Sequence, residues 1–273
     1  MRSITKILSI IAVALLPVVG SAADGRTTAE ACWKEGIAAY EAGDYARAVD
    51  NLEQVVALGE ASADLYYNLA GAYFKLGQQY TPGLSRPFAG GELGRAVLNY
   101  HRALRLNPAM EDARYNLDIA VDHTNDTEAV PESFIATVWL ALRNMMTSNG
   151  WTVLSLVALA LTLALVLLYL LAERMVWRKV GFFVALMMGI IFITTTALAL
   201  SSRTAVVEDE RAVVVCNDTT PVHASPDSAS KIIRRPSQGV TITLLRSRGD
   251  WSEVLFLDGE KGWIRTAHVE KIY

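Results

Sequence analysis

The sequence predicts a multidomain membrane protein: all-α helical hairpins, then a two-helix transmembrane hairpin, then a small all-β barrel. Three observations predict it. Small and aromatic residues recur at helical spacing around a glycine turn in the first half of the chain. Two charge-free apolar runs follow at 151–172 and 180–200. From Arg211 onward the chain breaks into short alternating runs typical of strands.

Composition bounds the function classes. The 273 residues suffice for two small domains plus membrane segments. Hydrophobic residues make up 52%, and mean hydropathy is +0.27, high for a chain without a membrane phase. Net charge is −3 with no long basic run, which argues against nucleic acid as a partner. Cys32 and Cys216 stand far apart with no CxxC or Cys/His ligand spacing. No zinc site, disulfide framework or cofactor is therefore expected, and each cysteine reads as a small buried hydrophobe.

The first element, 1–23, has the layout of a signal peptide. Arg2 and Lys6 precede an apolar core, and Gly20, Ser21, Ala22 and Ala23 supply small residues at a cleavage site. Cleavage after Ala22 or Ala23 is expected.

The next element, 27–125, is read as helical hairpins. Gly36, Tyr40, Gly43, Asp44, Tyr45, Ala48 and Leu52 fall at helix–turn–helix spacing. Gly43 suits the positive φ of a helix end, and Asp44 suits the next N-cap. Leu69, Ala70, Tyr73 and Gly77 repeat the pattern, closed by Ala96, Tyr100, Ala103 and Pro108. Between them, the Pro- and Gly-rich stretch 78–92 reads as an inserted loop. A third helix, "EDARYNLDIAVDH", follows without a clear partner. This pattern resembles the tetratricopeptide repeat, a helical hairpin that stacks into a concave surface. The resemblance implies a groove for a peptide of another protein. Periodicity places Trp33, Lys34, Ile37 and Tyr40 on its inner face, with Tyr67, Asn68, Gly71 and Phe74, then Tyr115, Asn116 and Ile119. Asn68 and Asn116 recur at one repeat position, where an Asn in related repeats bonds the ligand backbone.

The segment 130–149 reads as an amphipathic juxtamembrane helix, with Pro131 at its start and Phe134, Ile135, Val138, Trp139, Leu142, Met145 and Met146 at helical spacing. Its stripe suits either the membrane interface or packing against the repeats. It is expected to end at Asn149–Gly150.

At ~1.5 Å per residue, each apolar run reaches about 30 Å, the thickness of a bilayer's hydrocarbon core. The link 173–179 carries Arg174, Arg178 and Lys179 against Glu173, which places it in the cytoplasm. The flanking domains then share the compartment outside the membrane. No ionisable residue lies in either run, so transport has no chemical basis.

The last element, 210–273, reads as a small barrel, with a tight hairpin at Asp258–Gly259. "GDWSEV", "DGEKGWI" and "HVEKI" resemble bacterial SH3-like domains, which bind peptides or cell-wall material. Trp251, Phe256 and Trp263 are the candidate ring surfaces, although the two Trp positions mostly build the core in such domains.

The order of these parts, with "RALRLNP", "EDARYNLDIA" and "SNGW", resembles BatE-type proteins of the Bacteroides aerotolerance cluster. The resemblance implies an inner-membrane accessory protein. It would work beside von Willebrand A-type membrane proteins and a MoxR-type ATPase in tolerance of oxidative or envelope stress. Two function classes follow: an assembly scaffold, or an envelope sensor that binds peptidoglycan. An enzyme is not expected. No GxSxG, HExxH or P-loop occurs, and His101, His123, His223 and His268 have no nucleophile or carboxylate partner by spacing.

Overall fold

The computed structural model describes residues 27–79, 88, 90–124, 134–207, 210–216 and 220–272. The expected signal peptide and most of the expected 78–92 loop lie outside them.

Among the described residues five helices form the first body: α1 (27–41), α2 (Tyr45–Ala57), α3 (Ala63–Gln79), α4 (Glu92–Leu106) and α5 (Glu111–Asp122). The first turn is built as its residues dictate. Gly43 takes φ +78°. The Asp44 carboxylate accepts from the Arg47 N–H at 3.2 Å and caps α2. Gly36 lets α2 approach closely, because a Cβ there would lie 2.9 Å from the Leu52 side chain. The predicted loop begins later than expected, since α3 continues through Gln79. Its residue Phe88 is no surface decoration: it is 2% exposed and belongs to the helical core. The ring lies 5.3 Å from that of Phe74. Gly77 makes room for it, because a Cβ there would come within 2.2 Å of the ring.

The C-terminal part is one antiparallel sheet of seven strands: β1 (Arg211–Val214), β2 (Val222–His223), β3 (Ile232–Arg234), β4 (Thr241–Arg248), β5 (Trp251–Leu255), β6 (Lys261–Arg265) and β7 (Val269–Lys271). Their order is β3-β2-β6-β5-β4-β1-β7. The β5–β6 hairpin pairs Leu255 with Lys261. Its turn has Gly259 at φ +87° and the Asp258 carboxylate accepting from the Glu260 N–H at 2.8 Å, as Asp-Gly chemistry requires.

The two bodies share a seam. In β1, Ala212 and Val214 enter the sheet's own core, while Val213 enters the helical core. Alternation along a strand puts neighbours on opposite faces, so β1 is buried on both. Opposite it, α4 buries Leu93, Gly94, Ala96, Val97, Leu98, Asn99, Tyr100 and Ala103. Gly94 is the close-approach point: a Cβ there would lie 2.5 Å from the Val214 carbonyl oxygen. Gly91 caps α4 without a side chain. The amide of Gln238, from the loop before β4, accepts from the Gly94 N–H at 3.4 Å and donates to the Phe88 carbonyl. Arg102 closes the far end, donating to Glu270 at 2.8 Å and to the Ile272 carbonyl at 3.3 Å.

The remaining helices are α6 (Phe134–Arg143), α7 (Ser148–Leu171) and α8 (Met175–Val207). α7 and α8 are long and apolar enough to cross a membrane. Along them Val153, Leu163, Leu170, Phe183, Ile190 and Ile193 are exposed. The expected 173–179 link is shorter, because α8 already begins at Met175. α6 also ends earlier than expected: Thr147 caps α7 by accepting from the Gly150 N–H at 3.3 Å, so Asn149 and Gly150 open α7. Trp139 of α6 packs with Trp151, Leu198 and Ala199 against the helix pair, whereas Phe134 and Ile135 stay exposed. Ser148 donates to the Ala199 carbonyl at 3.3 Å, so the start of α7 and the end of α8 lie together.

The seam yields a contrast. Gly94→Ala forces α4 off β1 and is expected to cost about 1–3 kcal/mol, as overpacking does. Gly189→Ala, whose Cβ would meet nothing within 4 Å, is expected to leave the melting temperature unchanged or raised. Thermal unfolding of the full chain in detergent checks both.

Candidate partner-binding cleft

Seven of the expected groove residues meet around one cleft. Tyr40 of α1, Tyr67, Asn68, Gly71 and Phe74 of α3, and Asn116 and Ile119 of α5 line a space of about 290 Å³, with Lys75 and Tyr100. Helical geometry explains the grouping. Tyr67, Gly71 and Lys75 stand four residues apart on one stripe of α3, and Asn116 and Ile119 stand three apart on α5.

Gly71 sets the shape. A Cβ there would sit 3.5 Å from the Tyr40 hydroxyl and 3.9 Å from the Tyr100 hydroxyl. The absent side chain thus opens a floor on which the tyrosine hydroxyls converge. The Tyr67 and Tyr100 rings lie 6.1 Å apart and tilted. The Asn116 amide donates to the Tyr67 hydroxyl at 3.1 Å, and the Asn68 amide donates to the Asp64 carbonyl at 2.8 Å. No acidic side chain lines the cleft, and Lys75 is its one cation among the described residues.

The other four expected residues lie elsewhere. Tyr115 is 68% exposed and points off the cleft. Lys34 pairs with Glu30 at 2.7 Å on the surface. Trp33 lines a separate hollow with Glu30, Val55 and Leu65, and Ile37 is half-buried without lining the cleft. The residues that periodicity places on the inner face do not include Tyr100 of α4, which lines the cleft. Nor do they include Lys75, which the spacing from Gly71 signals.

The candidate rings of the sheet are buried. Trp251, Phe256 and Trp263 are 8%, 3% and 8% exposed. An arginine lies over each: Arg265 is 4.5 Å from the Trp251 ring centre, Arg234 is 4.8 Å from Phe256, and Arg246 is 5.5 Å from Trp263. Arg246 and Arg234 are themselves held, by Glu253 at 2.6 Å and Asp258 at 2.8 Å. Phe256 belongs to the sheet's core, whereas Trp251 and Trp263 pack outside that core beneath Arg265 and Arg246.

The cysteines are free and half-buried. Cys32 contacts Gln54 at 3.5 Å, and burial pushes the Cys216 thiol up from its ordinary range. His123 ends α5 with its ring edge-on to Phe74 and Phe88, at 5.4 and 5.6 Å. Among the described residues no group of three or more His, Cys, Asp or Glu side chains stands close enough to hold a metal ion.

Residues 218–270 match the bacterial SH3 domain family. The match covers β2 to β7 but not β1, the strand that joins the seam. A comparison with curated proteins found no match to the chain.

The cleft makes a pH prediction. Burial, then the neighbouring Tyr67 and Tyr40, pushes the Tyr100 phenol up from its ordinary range. Burial, then Tyr45 and Tyr67, does the same for Tyr40. The folded state thus holds these protons more tightly than the unfolded chain. Their stabilisation is full below the unfolded value near pH ~10 and is lost as pH rises above it. Wild-type protein is expected to lose melting temperature more steeply than Tyr100→Phe above that pH. Thermal melts across the alkaline range check it.

Proposed function

We propose that this chain is a non-catalytic scaffold of a bacterial inner membrane, docking an extended segment of a protein partner in the cleft around Gly71. The observation that carries this reading is the convergence of three tyrosines, two amides and Lys75 on one open floor. The nitrogens of both amides are engaged within the protein. Their oxygens are then the groups that a ligand N–H would meet, and Lys75 suits an acidic side chain or a terminal carboxylate. The helices would be tetratricopeptide hairpins, and the whole a BatE-type protein. Partners would then include von Willebrand A-type membrane proteins and a MoxR-type ATPase, in a complex linked to aerotolerance or envelope stress.

The membrane reading is supported by the exposed apolar surface of α7 and α8, far larger than soluble proteins leave open. With both helices spanning, the antiparallel pair puts the chain before α7 and the chain after α8 at one end. The helical body and the sheet then share the periplasm, in agreement with the basic link. An alternative, an envelope sensor gripping peptidoglycan, is favoured by the family match at 218–270. The lidded rings weigh against it.

Photo-crosslinking in intact cells tests the docking role. A photoreactive residue at position 68 is expected to capture a membrane-complex protein, and one at position 115 is not. Capture that is equal from both positions removes the cleft from docking. Sedimentation with purified sacculi tests the alternative, and the expected result is no binding.

A further inference from the structure

A second cavity, of about 280 Å³, opens where α4, α5, the α6–α7 turn, the end of α8 and β1 meet. Arg105, Arg114, Arg143 and Arg211 line it, and among the described residues no acidic side chain does. Among the described residues no carboxylate lies within ion-pair distance of Arg114 or Arg143. Arg114 donates to the Pro108 carbonyl, and Arg143 donates to the Asn144 amide oxygen at 3.3 Å. Holding the Arg114 and Arg143 guanidinium groups together in a half-enclosed space is unfavourable unless an anion joins them. Burial, then the Arg211 charge, pulls Arg143 below its ordinary range.

An independent observation points the same way. Ser202 is 8% exposed, lines this cavity, and its hydroxyl has no hydrogen-bond partner. A buried hydroxyl left unmatched is costly, and an acceptor in the cavity would satisfy it. Thr147 and Ser148 on the same wall open α7, whose positive end favours an anion. The cavity therefore lies at the end of the apolar helix pair, at the height of a headgroup layer if the pair spans.

We propose that this cavity binds a phosphate-bearing anion through the Arg114 and Arg143 guanidinium groups and the Ser202 hydroxyl. An anionic phospholipid headgroup and free phosphate offer the same chemistry. The lipid source rests on α7 and α8 spanning the membrane; the free-anion source does not. Neither depends on the docking cleft.

The test uses the full chain in neutral detergent. One arm measures retention of phosphatidylglycerol against phosphatidylcholine by native mass spectrometry. The other measures the melting shift with inorganic phosphate. Wild type is compared with Arg143→Gln, with Arg114→Gln from another wall, and with Arg203→Gln, an exposed position at the same height outside the cavity. Binding is expected to fall about tenfold or more in the first two, the loss of one charge-assisted contact. It is expected to be unchanged in Arg203→Gln. Selective phosphatidylglycerol retention assigns the lipid; a saturable phosphate shift alone assigns the free anion. Should Arg143→Gln elute as misfolded protein, Arg114→Gln carries the comparison. Equal binding in all four proteins, or no binding of either probe, overturns the proposal.

Discussion

Helix α4 and strand β1 press against each other with no side chain between them at Gly94, and the arrangement of both bodies depends on that contact. Helix α4 buries every residue from Ala96 to Tyr100, polar Asn99 included, so it is covered over most of its circumference. The hairpin helices α3 and α5 cover part of α4; β1, Ile272 and the Gln238 loop cover the rest. The same logic holds for β1, whose alternate residues belong to two different cores. Removing the sheet would expose one side of α4 and leave its first turn without the Gln238 acceptor. The sheet is thus a structural completion of the helical body. Among the described residues, strands cover the side of α4 that α3 and α5 leave open.

This coupling bears on both proposed sites. The cleft around Gly71 includes Tyr100, which sits on α4. The arginine cavity takes walls from α4, α5, the α6–α7 turn, α8 and β1 together, and a ligand there would touch all of them. The cleft, the sheet and the helix pair would then share one rigid frame, rather than act as independent modules on flexible tethers.

Much of this was legible in the sequence, and the losses have physical causes. Gly43 and Asp44 announce the first turn because positive φ and N-capping have strict residue preferences. Asp258 and Gly259 announce a hairpin for similar reasons. Seven of the expected residues line one cleft because helical periodicity fixes which side chains share a face. Tyr100 was missed because a hairpin read alone hides its second helix, whereas Gly71 opens the path between helices. Phe88 was missed because a loop rich in Pro and Gly gives no sign that one of its side chains returns to the core. The seam had a signal that was read too weakly. "AVVV" at 212–215 is a continuous apolar run, not an alternating one, and such a run marks a strand buried on both faces. The burial of Trp251 and Trp263 followed from family position; the arginines over them did not, because cross-strand register sets those pairs, as between Trp251 and Arg265.

The most direct test of the shared frame is a distance measurement between the two bodies. Spin labels at Glu111 of α5 and Lys261 of β6, both exposed, would be placed in a chain with Cys32 and Cys216 replaced by serine. A single narrow distance distribution in lipid nanodiscs is the predicted result. A broad or multimodal distribution would show that the sheet swings free of α4, and would contradict the central claim.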